Sequence, residues 1–226
     1  MKYIATQIWG DLHCYGMDYG YRKAEVGSIQ LGDFCLLDDG YKNIDFKKLS
    51  KRYSKQYGPR FFVEGNHDYF PALNCNADEP YCVNDQGTLF HIPRGYVSGR
   101  TMFIGGADSI DKDDRTTGHD HFVEESISQR QFEKIMEVDR FGVEVILSHE
   151  CPQFVRREFF GITNREPTSL AFDSIFEYFK PKMWIFAHHH RSVKDTVKGC
   201  QFICIPTGSW IHVDLPLGSL FENVWK

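Results

Sequence analysis

A layered α/β domain is the fold class this sequence predicts. Two patterns predict it: short apolar runs of strand length recur along the chain, and segments with apolar residues every three or four positions lie between them. The 226 residues, 42% of them hydrophobic, suffice for one well-packed core, so residues 1–226 are expected to form a single domain.

The expected strands are Ile4 to Trp9, Ser28 to Leu31, Arg60 to Val63, Thr101 to Ile104, Val143 to Leu147, Met183 to Ala187 and Gln201 to Ile205. Each is short and nearly continuous in apolar character, as in strands covered on both faces. A helix is expected where Phe46, Leu49, Tyr53 and Tyr57 recur at helical spacing, with Gly58-Pro59 as its stop. Ser128 and Gln131 read as a capping box ahead of Phe132, Ile135 and Met136. Ala171, Phe172, Ile175, Phe176 and Phe179 form a further stripe, closed by Pro181. Residues 105–127, GGADSIDKDDRTTGHDHFVEESI, are polar and lack a period, so they read as a long surface loop. A loop of that length in a compact domain is usually functional or mobile.

Composition excludes several classes. A formal charge of −5 argues against a basic nucleic-acid-binding face, although a local metal centre can draw in a phosphate that the overall charge repels. The start, MKYIATQIWGDLH, reads neither as a signal peptide nor as a membrane span, and no later run reaches about eighteen apolar residues. Seven cysteines without a C-x-x-C pair fit neither a disulfide framework nor a thiolate zinc site. Reduced thiols and a cytoplasmic location follow as expectations. Cys14 and Cys151 lie close to candidate site residues in sequence, but nothing places a base beside either, so no nucleophilic role is assigned.

The chemistry is concentrated where strands end. Ile4 to Trp9 runs into Asp11 and His13, and Ser28 to Leu31 into Asp33. Arg60 to Val63 leads to Asn66, His67 and Asp68; Val143 to Leu147 to His149; and Met183 to Ala187 to His188, His189 and His190. Open α/β sheets bind ligands beyond the carboxyl ends of their strands, so five such ends would converge on one site. Asp, His and Asn offer oxygen and nitrogen donors without thiolate, which suits manganese, iron or zinc. Two carboxylates against two divalent ions leave net positive charge for an anionic ester, and two ions sharing one water lower its pKa toward about 7.

These residues resemble the calcineurin-like metallophosphoesterase superfamily, whose elements D-x-H, G-D, G-N-H-[DE], a lone H and G-H-x-H appear in order. Here they are Asp11-Leu12-His13, Gly32-Asp33, Gly65-Asn66-His67-Asp68, His149 and Ala187-His188-His189-His190. Singly, each residue has an ordinary reading as a turn or capping group; five ordered elements are far more specific. The resemblance implies a four-layer sandwich of two mixed β-sheets flanked by α-helices. It implies that Asp11, His13 and His190 bind one metal, that Asn66, His149 and His188 bind the other, and that Asp33 bridges them. It also implies that His67 contacts phosphate and protonates the leaving oxygen. A histidine suits that work because its ordinary pKa is about 6.5.

Departures narrow the expectation. Protein serine/threonine phosphatases of this superfamily continue G-D with x-x-D-R-G, where the Asp orients the acid histidine and the Arg grips phosphate. Leu36 and Leu37 follow here, which argues against a phosphoprotein substrate and leaves His67 without its partner; Asp68 is too close in sequence to serve. Ala187 stands for the usual Gly and adds a methyl before His188. His189 should point away along an extended segment and is read as structural or solvated. His119 and His121, among Asp114, Asp120 and Glu124, read as a solvated loop pair. Arg115 is a candidate phosphate contact, with an ordinary exposed arginine as the alternative, and Tyr15 and Tyr69 could stack on a nucleobase or aromatic leaving group. Phe34 reads as core.

The expected function is hydrolysis of phosphomonoesters or phosphodiesters, nucleotide-derived ones included, by a hydroxide bridging two divalent ions. Mn2+ is expected, with Fe, Zn or Ni as alternatives. The partner is a small phosphate ester and not a membrane. The rivals are a nuclease on DNA or RNA and a non-catalytic interaction module on the same fold.

Overall fold

The computed structural model describes residues 3–13, 25–34, 59–83, 87–118 and 121–218. Among these residues, twelve strands form two sheets of six. The first holds β1 (Ile4–Trp9), β2 (Ile29–Leu31), β3 (Arg60–Val63), β4 (Tyr81–Cys82), β5 (Leu89–His91) and β12 (Trp210–Leu215), in the order β12-β1-β2-β3-β5-β4. The second holds β6 (Tyr96–Ser98), β7 (Thr101–Ile104), β8 (Val145–Ser148), β9 (Met183–Phe186), β10 (Val193–Val197) and β11 (Cys200–Cys204), in the order β10-β11-β9-β8-β7-β6. In each sheet a parallel centre carries an antiparallel strand on either edge, so both are mixed.

Alternation of side chains explains how the layers stack. Val145 and Leu147 of β8, Ile185 of β9 and Ile203 of β11 face the first sheet, where Ile8, Ile29, Leu31, Phe61 and Val63 meet them. Ile146, Trp184, Phe186 and Phe202 point the other way, against helices α1 (Gln129–Met136), α2 (Gln153–Phe160) and α3 (Pro167–Phe179). Both faces of these strands are therefore buried, which is why their sequences read as unbroken apolar runs. The α/β sandwich of two mixed sheets matches the expectation. The helix expected around Phe46 to Tyr57 lies outside the described residues, and no described helix is long and apolar enough to cross a membrane.

The seven expected strands are present, with ends displaced by a residue or two at β2, β8, β9 and β11. The Ser128 capping box is formed as read: Ser128 Oγ accepts from the Gln131 N–H at 3.3 Å, and Gln131 Oε1 accepts from the Ser128 N–H at 2.9 Å. Strands β10 and β12 carry no apolar run because they are edges, and in β10 the three central residues are exposed. The turn joining β10 to β11 is Lys198-Gly199, both at positive φ.

The loop expected on the surface is only partly there. Asp111 to Asp114 are exposed, but Ala107, Asp108 and Ser109 at one end, and Phe122, Glu125 and Ile127 at the other, are buried. Two carboxylates account for this. Asp108 accepts hydrogen bonds from the Thr168 N–H at the start of α3, 2.7 Å, and from Ser126 Oγ. Glu64, fully buried at the end of β3, accepts from Arg94 Nε and lies 2.7 Å from His91 Nε2. Arg94 then donates to the carbonyls of Glu124, Ser126 and Glu125 at 2.7, 2.8 and 3.2 Å. At the two ends of this polar segment, Asp108 and three main-chain carbonyls are satisfied inside the protein.

Burial by itself would raise the Glu64 carboxyl, but Arg94 and His91 outweigh it and hold it at about 2, against an ordinary 4.5. A pKa depressed on folding stabilises the native state above about pH 4.5, and that contribution is lost as pH falls toward 2. Glu64→Gln leaves the Arg94 guanidinium buried without its counter-charge and is expected to cost about 3–5 kcal/mol by urea unfolding at pH 7. The gap between wild type and variant should close as the pH is lowered below 4.5.

Candidate metal centre

Asp11 follows β1, Asp33 follows β2, and Asn66 and His67 follow β3, on three neighbouring parallel strands. His149 follows β8 and His188 and His190 follow β9, adjacent and parallel in the other sheet. The main chain bends sharply at these ends: φ is 32° at His13, 50° at Asp33, 62° at His188 and 55° at His190. The other described non-glycine residues at positive φ are Lys180, which ends α3, and Lys198 in the hairpin. Left-handed backbone is costly for side chains with a Cβ, and its concentration here marks a functional site. Gly32 and Gly65 serve the same crowding: a Cβ on Gly32 would strike the His149 ring, and one on Gly65 would strike Asp33 Oδ1 and its backbone nitrogen.

The side chains gather into two groups that share Asp33. One consists of Asp11, His13, Asp33 and His190, the other of Asp33, His149 and His188, and within each the donor atoms lie within 4.8 Å of one another. Asn66 joins the second, with Oδ1 3.1 Å from His149 Nε2. Both carboxylates are aimed by peptide groups: the His188 N–H donates to Asp11 Oδ1 at 3.0 Å and the His67 N–H to Asp33 Oδ1 at 2.9 Å. The other oxygens face inward. Asp11 Oδ2 lies 2.9 Å from His190 Nε2 and has no aligned hydrogen-bond donor, and Asp33 Oδ2 lies 3.5 Å from His13 Nε2. The two imidazole nitrogens, His13 Nε2 and His190 Nε2, are 2.9 Å apart.

Such convergence tests whether a cation fits. His149 Nδ1 lies 2.7 Å from the Leu31 carbonyl oxygen, so it carries the proton and donates. When His149 is neutral, its Nε2 directs a lone pair at Asn66 Oδ1 and at Asp33 Oδ1, 3.5 Å away. Facing lone pairs repel unless a proton or a metal ion sits between them, and the oxygen and nitrogen donors suit a divalent ion. The residues fit the group. Titration follows the same charge pattern. Burial raises Asp33, but His149, His67, His13 and His188 together hold its carboxyl below the usual range. Burial lowers His188 to about 4, so it is the neutral ligand form at pH 7. Burial works against the proton on His149, yet Asp33, Asp11 and the Leu31 carbonyl raise its pKa.

His67 projects beside this cluster, its ring 5.3 Å from that of His13. Arg115 NH2 stands 3.1 Å from its Nε2 and 3.2 Å from its Nδ1, and bonds Asp111 Oδ1 at 2.8 Å. Burial lowers the His67 pKa; Asp33 opposes this, and Arg115 lowers it further. Asp68 accepts the Gly65 N–H at 2.7 Å and so closes the turn that presents Asn66. Tyr69 is partly exposed, its ring edge-on to Phe122 at 5.7 Å. Tyr15, Cys14, Leu36, Leu37 and His119 lie outside the described residues, and His121 is half-buried in the loop.

His189 turns away from the cluster, as its position between two candidate ligands implied, but it is not solvated. It stacks on Phe160 at 4.2 Å, and its Nε2 lies 2.8 Å from Glu150 Oε1. Ala187 causes no crowding, because it is buried in the apolar layer between the sheets. A base does stand beside Cys151, since His189 Nε2 lies 3.5 Å from its Sγ, but burial pushes the thiol well above its usual value and keeps it protonated.

Three buried residues were missed by sequence reasoning. Glu150 backs the histidine run, with Oε2 3.7 Å from His188 Nε2. Ser109 and Glu125 lie behind Asn66: Asn66 Nδ2 donates to Ser109 Oγ at 2.9 Å, and Ser109 Oγ donates to Glu125 Oε2. Adjacency to His149 was a signal for Glu150. Nothing in the local sequence distinguishes Ser109 or Glu125 from other polar loop residues.

The profile of the calcineurin-like phosphoesterase family matches residues 9–192, a span holding both donor groups. No curated protein sequence matches the chain significantly. Among solved structures, TT1561 of Thermus thermophilus aligns at TM-score 0.53 and 11% identity, over 94% of this chain and 98% of that one. GAP50 of Plasmodium, described as the anchor in the inner membrane complex, aligns at 0.52 and 14%, over 92% of this chain and 73% of that one. A candidate 5′-nucleotidase from Staphylococcus aureus aligns at 0.50 and 14%, over 92% of this chain and 49% of that one. At these identities the likeness is one of fold.

Gly65→Ala is expected to displace Asp33 and with it both donor groups. Thermal melts with and without Mn2+ check this. Ion at one hundred times its Kd should stabilise wild type by about 2.7 kcal/mol, and the variant by close to nothing.

Proposed function

This chain belongs to the calcineurin-like phosphoesterase family, and we propose that it hydrolyses small phosphomonoesters or phosphodiesters at a dinuclear metal centre. The observation that carries this reading is the sharing of Asp33 by two donor groups. We assign Asp11, His13 and His190 to one ion, Asn66, His149 and His188 to the other, and Asp33 to both. The family is metal-dependent. When bound, two divalent ions, manganese in this reading with iron, zinc or nickel as alternatives, supply Lewis acidity and an activated water near neutral pH.

The chain's own residues divide the remaining work. The peptide N–H groups of His188 and His67 hold the Asp11 and Asp33 carboxylates in place, so the ligands are oriented before substrate arrives. His67 stands beside the shared carboxylate, where its imidazole N–H can reach the leaving oxygen and give up a proton as the ester bond breaks. Arg115, against His67, supplies a guanidinium that grips two phosphate oxygens and takes the place of the arginine absent after Asp33. Burial lowers the His67 pKa and the Arg115 charge lowers it further, so the imidazolium gives up its proton readily and is left as the neutral imidazole. Tyr69 is placed to stack on an aromatic or nucleoside leaving group, and Tyr15 is a further candidate from sequence.

The net charge of −5 speaks for a small ester over a polynucleotide. The full donor set speaks against a non-catalytic module, since a binding role alone would not require these acids and imidazoles to converge. Protein loaded with Mn2+ should hydrolyse an aryl phosphate or an aryl phosphodiester. A panel of mononucleotides, cyclic nucleotides, dinucleotides, phosphosugars and phosphopeptides then ranks natural leaving groups. No turnover on any of them would sink the enzyme reading.

His67→Ala should lower kcat by about 10²–10⁴ while leaving metal content unchanged. The loss should be greater for an alkyl ester than for an aryl ester, whose alcohol leaves without a proton. Arg115→Ala should raise KM about tenfold, a loss of about 1.4 kcal/mol in phosphate binding. Arg115→Lys should recover only part of it, because an ammonium cannot bind in the same fork geometry.

A further inference from the structure

Asn66 is an amide, and only one of its two ends can serve a cation. Its Oδ1 carries lone pairs and its Nδ2 carries two hydrogens, and the two are nearly equal in shape. Something must hold the oxygen inward. Asn66 is 2% exposed and its neighbours are polar in a directed way. Nδ2 donates to Ser109 Oγ at 2.9 Å, and Ser109 Oγ donates to Glu125 Oε2. Burial raises the Glu125 carboxyl above its ordinary value, while the Ser109 hydroxyl, the Phe122 N–H on Oε1 at 2.9 Å and Arg115, whose NH1 lies 3.9 Å from Oε1, act the other way. Both relay residues are nearly inaccessible, Ser109 at 2% and Glu125 at 1%.

We infer that Ser109 and Glu125 are positioning residues that fix the orientation of the Asn66 amide and so complete one of the two ion sites. The direction of each hydrogen bond follows from the end of the chain. A carboxylate has no hydrogen to give, so the Ser109 hydroxyl must donate toward Glu125. The Ser109 oxygen is then left as an acceptor, which the Asn66 NH2 satisfies at 2.9 Å. Oδ1 is thereby turned toward His149 Nε2, the position it holds at 3.1 Å. Partners of this kind behind a ligand typically change metal affinity 10- to 100-fold when removed. The loop from residue 105 to 127 thus reaches the centre twice, through Ser109 and Glu125 at Asn66 and through Arg115 at His67.

The inference rests on the dinuclear reading given above, and titrating Mn2+ into the full-length protein separates the two. Calorimetry should find two ions bound per wild-type chain. Ser109→Ala should weaken one of them by about 10- to 100-fold and leave the other unchanged, and Ser109→Thr, which keeps the hydroxyl, should restore it. Glu125→Gln is nearly isosteric and should act as Ser109→Ala does. Its amide can keep the Phe122 N–H on oxygen and donate from nitrogen to Ser109, which reverses the relay and turns Asn66 round. Wild-type affinity for both ions in Ser109→Ala and Glu125→Gln would overturn the inference alone. Equal loss of both ions in these variants would overturn it too, since it would mean a general structural role. Fewer than two ions on wild type would overturn the dinuclear reading and this inference with it.

Discussion

Lone pairs that face one another at about 3 Å inside a protein need positive charge between them, and this constraint organises the molecule. Asp11, His13, Asp33, Asn66, His149, His188 and His190 all present acceptor atoms toward a common space. The surrounding structure gives up local comfort to keep them there. Four of the seven sit at positive φ, and Gly32 and Gly65 leave room where any side chain would collide. A peptide N–H group holds one oxygen of each aspartate. Parallel strands make this possible, because their carboxyl ends lie side by side and each contributes a turn.

A second tier of buried charge ties the centre to the rest of the fold. Glu64 precedes the Gly65-Asn66-His67 turn directly and is held by Arg94 and His91. Arg94 in turn holds three carbonyls at the end of the 105–127 segment, and Glu125 from that segment returns to Asn66 through Ser109. Such networks are strong only when every member is satisfied. Here the same few residues anchor a long polar segment and back the centre, so a packing contact and a functional contact cannot be separated along this wall.

His67 shows how a departure from a familiar pattern is accommodated. The acid that the pattern of the protein phosphatases places after Asp33 to orient this histidine is missing from the sequence. Arg115 approaches the ring from the loop, with Asp111 as its own counter-charge. The guanidinium beside His67 therefore comes from the 105–127 loop.

The sequence alone carried the candidate donor types, their order and the strands they follow, because buried parallel strands leave continuous apolar runs and hydrophilic donor residues stand out at their ends. It determined the helix cap at Ser128 for a similar reason, since that interaction spans only three residues. Tertiary structure alone decided what stands behind the donors. Ser109 and Glu125 reach Asn66 across spatial contacts with no local signature, and their burial contradicts the solvated appearance of the segment they occupy. Edge strands such as β10 were likewise invisible, because their pattern depends on which face is covered. Arg115 could be named from the chain as a candidate, but only folding brought its guanidinium to the ring of His67.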